Sequence, residues 1–257
     1  MQKSNQRYNL AKFGDYALVN FFQSFKLSML TDVLSTVIPA LVCITIHELA
    51  HGFTAYKLGD RTAKDMGRLT LNPIKHIDII GLLMMVLFKF GWAKPVPVNM
   101  YNFKRPKWYM AITAIAGPLS NIILAIIAFL FFGLTFTALG GTFSVAGGAV
   151  SIRAGGAGAV MIDIIYLTAY LNVALAVFNL IPIPPLDGSK VLFSLLPEKT
   201  YFNLMRYERY GVLLLIVFLN VDRLLNTNIF GATIGRLTQM LVNGLSYVWY
   251  AAFRLVN

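Results

Sequence analysis

The sequence predicts an all-α polytopic membrane protein with about four to six transmembrane helices. It adds short re-entrant or extended β elements on the cytosolic side and a candidate extracytosolic β-hairpin. Three observations carry that expectation. The 257 residues are 57% hydrophobic and only 13% charged, with a mean hydropathy of +0.66, whereas a soluble domain carries roughly 25% charged residues. Several apolar runs reach the length of about 20 residues that a bilayer demands of a helix. The Lys and Arg residues gather in the connections between those runs. The net charge of +11 therefore speaks for orientation and anionic lipid headgroups, not for nucleic acid.

Taken in order, Met1 to Lys12 are polar and basic and lack the layout of a cleaved signal, so the chain is expected to stay in the bilayer whole. Residues 14–30 are mostly apolar but include Gln23, Ser24 and Lys26, which leaves the topology of this N-terminal segment open. The run 31–58 reads as a span, with Pro39 as a kink. Between Lys57 and Lys107 lie ten Lys or Arg, the breaks Asn72-Pro73 and Lys94-Pro95-Val96-Pro97, and an apolar stretch, Ile77 to Phe88, too short to span. This reads as a re-entrant or in-plane element with extended pieces. Residues 108–137 form a second span and 159–181 a third, which carries Asn172 and Asn179. Pro182, Pro184 and Pro185 then stop the helix, and Asp187 is placed to cap the short helix that follows. Residues 201–225 read as a fourth span. The run 229–255 is periodic but includes Arg236, Gln239 and Asn243, so its spanning stays open. The organisation expected is one membrane-embedded domain over 1–257, with an N-terminal segment 1–30, core helices in 31–187 and C-terminal helices in 188–257.

Charge orients the scheme. Ten Lys or Arg in 57–107 and four in 182–210 contrast with Arg153 alone in 138–158 and Arg223 alone in 222–228. The positive-inside rule puts the first two segments in the cytosol of a multi-pass membrane protein.

Inside the first span stands His47-Glu48-Leu49-Ala50-His51. Histidines four apart share a helix face and can reach one metal ion, with Glu48 beside them free to take a proton from a metal-bound water. That is the arrangement of a zinc hydrolase. Chance produces such a pattern in many helices, but three ionisable groups in five residues of a spanning helix are costly and persist for a function or a partner. Cys43 lies on the same face, yet residues eight apart are about 12 Å apart along the axis and cannot share one zinc with bonds of about 2 Å. Cys43 is expected to pack as a small apolar side chain. A third ligand must come from elsewhere. Asp187 is the strongest candidate, because its proline-fixed turn lies at the depth of the His pair. His76 is the runner-up, and a simple helix cap is the bland alternative for Asp187.

These residues carry a family resemblance. His47-Glu48-xx-His51 in a span, Ala116-Gly117-Pro118, and Phe178-Asn179-Leu180-Ile181-Pro182-Ile183-Pro184-Pro185-Leu186-Asp187-Gly188 resemble the site-2 protease family of intramembrane metalloproteases. Gly91 to Asn99 is similar to the version in small prokaryotic members. The resemblance covers roughly residues 31–225 and lacks the PDZ or CBS domain of some members. It implies one Zn2+ per chain bound by His47, His51 and Asp187, with Glu48 as general base. It also implies cleavage of a membrane-spanning protein substrate near the cytosolic face, and Asn179 hydrogen-bonding the substrate carbonyl or its oxyanion. A metal-ion-binding membrane transporter is the alternative from another class. A third is an inactive homologue that binds membrane helices. Neither explains Glu48 and the complete ligand set as well.

Two connections invite a role. In Trp92 to Asn99, Pro95 and Pro97 strip donors from one edge of an extended strand, leaving Val96 and Val98 to offer theirs on the other as a substrate clamp. An ordinary membrane-surface hairpin is the alternative. Gly140 to Gly158 holds seven glycines and is nearly palindromic about Gly147-Gly148. It pairs Ala146 with Ala149, Val145 with Val150, Ser144 with Ser151, Phe143 with Ile152 and Thr142 with Arg153 in a tight hairpin. Its expected place is opposite the active site, either screening substrate entry or as a plain loop cap.

Overall fold

A computed structural model of the chain describes residues 27–81, 83, 93–138, 144–146, 149–151, 157–211, 213–215, 217, 221 and 229–254. Contacts divide the chain into Met1–Ile38, which holds the start of helix α1, and Pro39–Asn257, which holds the rest. Helix α1 runs Leu27–Lys57 and stays helical through Pro39. After the short helix α2, Thr62–Asp65, the chain makes 3-10 turns at Pro73–His76 and Met100–Asn102. Helix α3 is Pro106–Ala138. Strands β1, Ser144–Ala146, and β2, Ala149–Ser151, pair antiparallel with Ser144 opposite Ser151, Val145 opposite Val150 and Ala146 opposite Ala149. The expected turn at Gly147-Gly148 and the outer pairs Phe143–Ile152 and Thr142–Arg153 lie outside the described residues. Helices α4, Ala157–Asn179, α5, Asp187–Ser194, α6, Glu198–Tyr207, and α7, Ile229–Arg254, complete the order.

Three helical stretches among the described residues are long and apolar enough to cross a membrane: Ser35–Lys57, Pro106–Thr135 and Val160–Asn179. The protein is a helical membrane protein. The range 201–225, read from sequence as a fourth span, does not begin as one. Its first residues belong to α6, which carries Glu198, Lys199 and Arg206 and ends in a 3-10 turn at Glu208–Tyr210.

The core follows from the rule that membrane helices pack through small residues, since lipid is as apolar as leucine. Ala125, Ala128 and Phe129 of α3 meet Ala169 and Val173 of α4 and Val242 of α7. On the outer side of α3, Leu119, Ile123, Leu130 and Leu134 are exposed, which is the surface hydrocarbon chains cover.

The connection between α1 and α3 is held by polar side chains. Ile77 and Ala93 form an antiparallel bridge, and the Lys94 N–H donates to the His76 carbonyl at 2.9 Å. Arg68 Nη2 donates to the carbonyls of Lys94 at 2.7 Å and Pro95 at 3.3 Å. Asp60, fully buried, accepts from the backbone and hydroxyl of Thr62, the Asn99 N–H and Asn102 Nδ2. Gly52 lets this connection lie close on α1, for a Cβ there would stand 2.8 Å from Val96 Cγ1 and 2.7 Å from Leu69 Cδ2. Trp92, the first residue of the expected clamp, lies outside the described residues.

Burial alone would raise the Asp60 carboxyl, but its hydrogen bonds to Thr62, Asn102 and Asn99 outweigh that and hold it below its usual value. Its contribution to stability is therefore complete above the ordinary carboxylate value of about 4 and lost as pH falls through the lower folded value. Asp60→Ala leaves several buried donors unmatched and should destabilise by about 3 kcal/mol, read as a lower Tm in detergent at neutral pH. The gap to wild type should shrink as the pH is brought below about 4, and a gap independent of pH would contradict this account of Asp60.

Candidate active site

Helix α1 places His47 and His51 one turn apart, and both imidazoles are buried, 5% and 9% exposed. The rings meet edge to face, with centroids 4.6 Å apart. Their orientation is set by what each Nδ1 meets. His51 Nδ1 lies 2.7 Å from the Thr113 carbonyl, which can only accept, so this nitrogen carries the proton. His47 Nδ1 lies 2.6 Å from Asn121 Oδ1, again an acceptor. Each neutral ring has one N–H, so both Nε2 atoms are bare lone pairs.

Asp187 completes the set. Sequence reasoning left it a possible cap, but the N-cap of α5 is Leu186, which makes no side-chain cap bond. The Asp187 carboxylate is turned instead to the imidazoles. Its Oδ2 lies 3.2 Å from His47 Nε2 and 3.1 Å from His51 Nε2, and the two Nε2 atoms are 3.0 Å apart. Three buried electron-pair donors with no hydrogen between them repel unless a cation sits among them. Tetrahedral coordination with bonds of about 2.1 Å separates ligand atoms by about 3.4 Å, close to the triangle seen here. His47, His51 and Asp187 could hold a metal ion, and two imidazoles with one carboxylate suit zinc.

The other residues anticipated from sequence divide clearly. Glu48, Val96, Val98 and Asn179 line one cavity of about 300 Å³ with the three ligands. Glu48 Oε2 accepts the Val96 N–H at 2.7 Å, so that donor is not an open edge but is aimed at the carboxylate. Asn179 Nδ2 donates to the Leu175 carbonyl at 3.0 Å, which commits one of its two amide hydrogens. His76, the runner-up ligand, is buried elsewhere with Nε2 at 2.9 Å from the Thr70 carbonyl. Cys43 is buried but not merely apolar packing, because Asn172 Nδ2 donates to its sulfur at 2.9 Å.

Three contributors have no role assigned from the sequence, although Gly117 stands in one of the motifs that carry the resemblance. Gly117 lies against the triad, where a Cβ would come 2.4 Å from His51 Nε2 and 2.7 Å from His47 Cε1. Asn121, one turn along α3, orients His47. Lys190 lies 3.8 Å from Asp187 Oδ1 and 3.3 Å from Glu208 Oε1. Burial alone would lower the Lys190 ammonium, but the charges of Glu208 and Asp187 raise it above its usual value. The available signal was costly polar residues within apolar helices, Asn121 among them.

A family model described as peptidase family M50 matches residues 35–219. The chain belongs to peptidase family M50. This is the site-2 protease family, and the protein is a zinc-dependent membrane protease of it. The chain is 40% identical over 181 residues to "Putative zinc metalloprotease YwhC" of Bacillus subtilis (strain 168), covering 70% of this chain and 78% of that protein. It is 31% identical over 186 residues to "Putative zinc metalloprotease Rip2" of Mycolicibacterium smegmatis, covering 70% of this chain and 64% of that one. No solved structure matches the chain.

Metal analysis of purified protein should find about one zinc per wild-type chain and little in His47→Ala, His51→Ala or Asp187→Ala, with His76→Ala unchanged. An empty His76→Ala alongside a loaded Asp187→Asn would reverse the ligand assignment. Gly117→Ala, which touches no ligand chemically, should lose zinc as well, since its methyl group enters the space of both rings. A full zinc complement in that variant would mean that α3 yields there.

Proposed function

We propose that the protein hydrolyses a peptide bond within or near a transmembrane segment of a membrane protein substrate, at a site near the cytosolic face of a prokaryotic plasma membrane. The observation that carries this reading is the convergence of three unprotonated ligand atoms beside Glu48 in one cavity within spanning helices. The concentration of Lys and Arg in 57–107 and 182–210 supports the cytosolic placement, and it puts the β1–β2 pair on the opposite side. On this reading the spans number more than the three recognised above, and the chain acts as one domain.

A zinc ion held by His47, His51 and Asp187 supplies a Lewis acid for the scissile carbonyl and an activated water near neutral pH. Glu48 is the general base, taking the proton of the attacking water and passing it to the leaving nitrogen. The Val96 N–H fixes one oxygen of that carboxylate, so the other performs the transfer. The free amide hydrogen of Asn179 is suited to the substrate carbonyl as it gains negative charge. A membrane helix hides its peptide bonds in its own hydrogen bonds, so the substrate must unwind locally and be held extended. Val96 and Val98 border the cavity on an extended segment, and with the Val96 N–H committed to Glu48 it is Val98 that is suited to pair with such a strand.

Two variants test this reading. Glu48→Gln should keep its zinc and lose at least about 100-fold in cleavage of a single-span reporter, because the amide cannot accept the water proton. Intact proteolysis there would remove Glu48 from the mechanism, and zinc transport surviving in the variant would favour the carrier. Val96→Pro removes the N–H that holds Glu48 and should lower turnover about tenfold or more with zinc retained. Wild-type turnover in that protein would refute the role of the 93–99 segment.

A further inference from the structure

Two asparagine side chains inside spanning helices, Asn121 of α3 and Asn172 of α4, are fully buried. A polar amide at that depth is costly unless every hydrogen and lone pair is matched. The matching here has a direction. Asn172 Nδ2 lies 2.8 Å from the Thr168 carbonyl, and a carbonyl only accepts, so this end of the amide must be the NH2 group. Its Oδ1 then faces Asn121 and accepts from Asn121 Nδ2 at 2.7 Å. The second hydrogen of Asn121 Nδ2 is directed to the Cys43 carbonyl at 3.3 Å. That leaves Asn121 Oδ1 toward His47 Nδ1 at 2.6 Å. Turning either amide over would set oxygen against oxygen.

We propose that Asn172 and Asn121 form a one-way amide relay, anchored on the Thr168 carbonyl, that holds the His47 proton on Nδ1 and its Nε2 lone pair toward the metal. Both are positioning residues, and neither touches substrate. The relay rests on the reading of His47 as a zinc ligand and adds to it a control reaching from α4 through α3 to α1. Without Asn172, only the longer bond to the Cys43 carbonyl at 3.3 Å resists turning the Asn121 NH2 group toward the ring, a turn that favours the tautomer that cannot bind. The Cys43 sulfur, which takes the other Asn172 hydrogen at 2.9 Å, completes the matching and keeps that amide from rotating.

The test uses the full chain in detergent, with zinc affinity measured by chelator competition. A second readout is the proton NMR signal of the His47 Nδ1–H in the zinc-loaded protein, assigned by comparison with His47→Gln. Asn121→Leu should weaken zinc binding about 10–100-fold, the usual cost of losing a partner of a ligating histidine. Asn172→Leu, one hydrogen bond further out, should weaken it about tenfold and let the His47 Nδ1–H signal broaden by exchange. Asn172→Asp is the rescue. Its carboxylic acid is kept neutral by the apolar surroundings, with a hydroxyl to donate to Thr168 and a carbonyl to accept from Asn121. It should return affinity to within about threefold of wild type and restore the signal. Wild-type affinity in Asn121→Leu while His47→Ala is empty would overturn the relay alone, as would failure of Asn172→Asp to improve on Asn172→Leu. Zinc held as tightly in His47→Ala as in wild type would overturn the metal reading and the relay together. The NMR signal decides independently of how well any variant folds, because a rapidly exchanging His47 Nδ1–H in the zinc-loaded wild type would itself refute the relay.

Discussion

Polar atoms inside hydrocarbon must find partners, and in this protein that demand shapes the centre of the fold. His47, His51 and Asp187 are each buried and each present a lone pair to the other two. Only a cation resolves such a cluster, because a proton can satisfy one pair at a time. Everything around the cluster fixes its geometry: the Thr113 carbonyl behind one ring, the Asn121 amide behind the other, and Lys190 behind the carboxylate. Two of these supports come from α3 and the third from α5, while the imidazoles stand on α1. The site therefore exists only when α1, α3 and α5 are together.

The second organising constraint is the extended segment from Ala93 to Asn99. An isolated strand of this length has no stability of its own. Here it is fastened by Arg68 and the His76 carbonyl near one end and by Asp60 at the other, with Glu48 taking the Val96 N–H between them. Glu48 and the extended segment thus hold one another. Pro95 and Pro97 fall where no partner is required, which is the only place proline is tolerated in such a segment.

Much of this was legible in the residues. The His47–His51 spacing and the apolar setting pointed to a metal pair, and the proline-bounded turn placed Asp187 at the same depth. What sequence could not deliver were contacts made by the backbone. The Thr113 carbonyl and the Val96 N–H leave no trace in residue type. A helix cap is the plain alternative for an aspartate before a short helix, but Leu186 takes that position and the Asp187 carboxylate meets the two imidazoles instead. Residues from 201 were read into a span on their apolar content, whereas the charges of α6 and the turn at Glu208–Tyr210 separate them from it. Asn172 was noticed but had no role, since a relay needs three helices in register to be seen.

The bare backbone at Gly117 bears on where turnover can be controlled. With no room for a side chain at Gly117, and with Asn121 and the Thr113 carbonyl of the same helix bonded to the rings, α3 and the two imidazoles are closely fitted. A shift of α3 large enough to admit a substrate would carry the rings with it or collide with them. Taking the centre apart would therefore mean moving α3 and the rings of α1 as one piece.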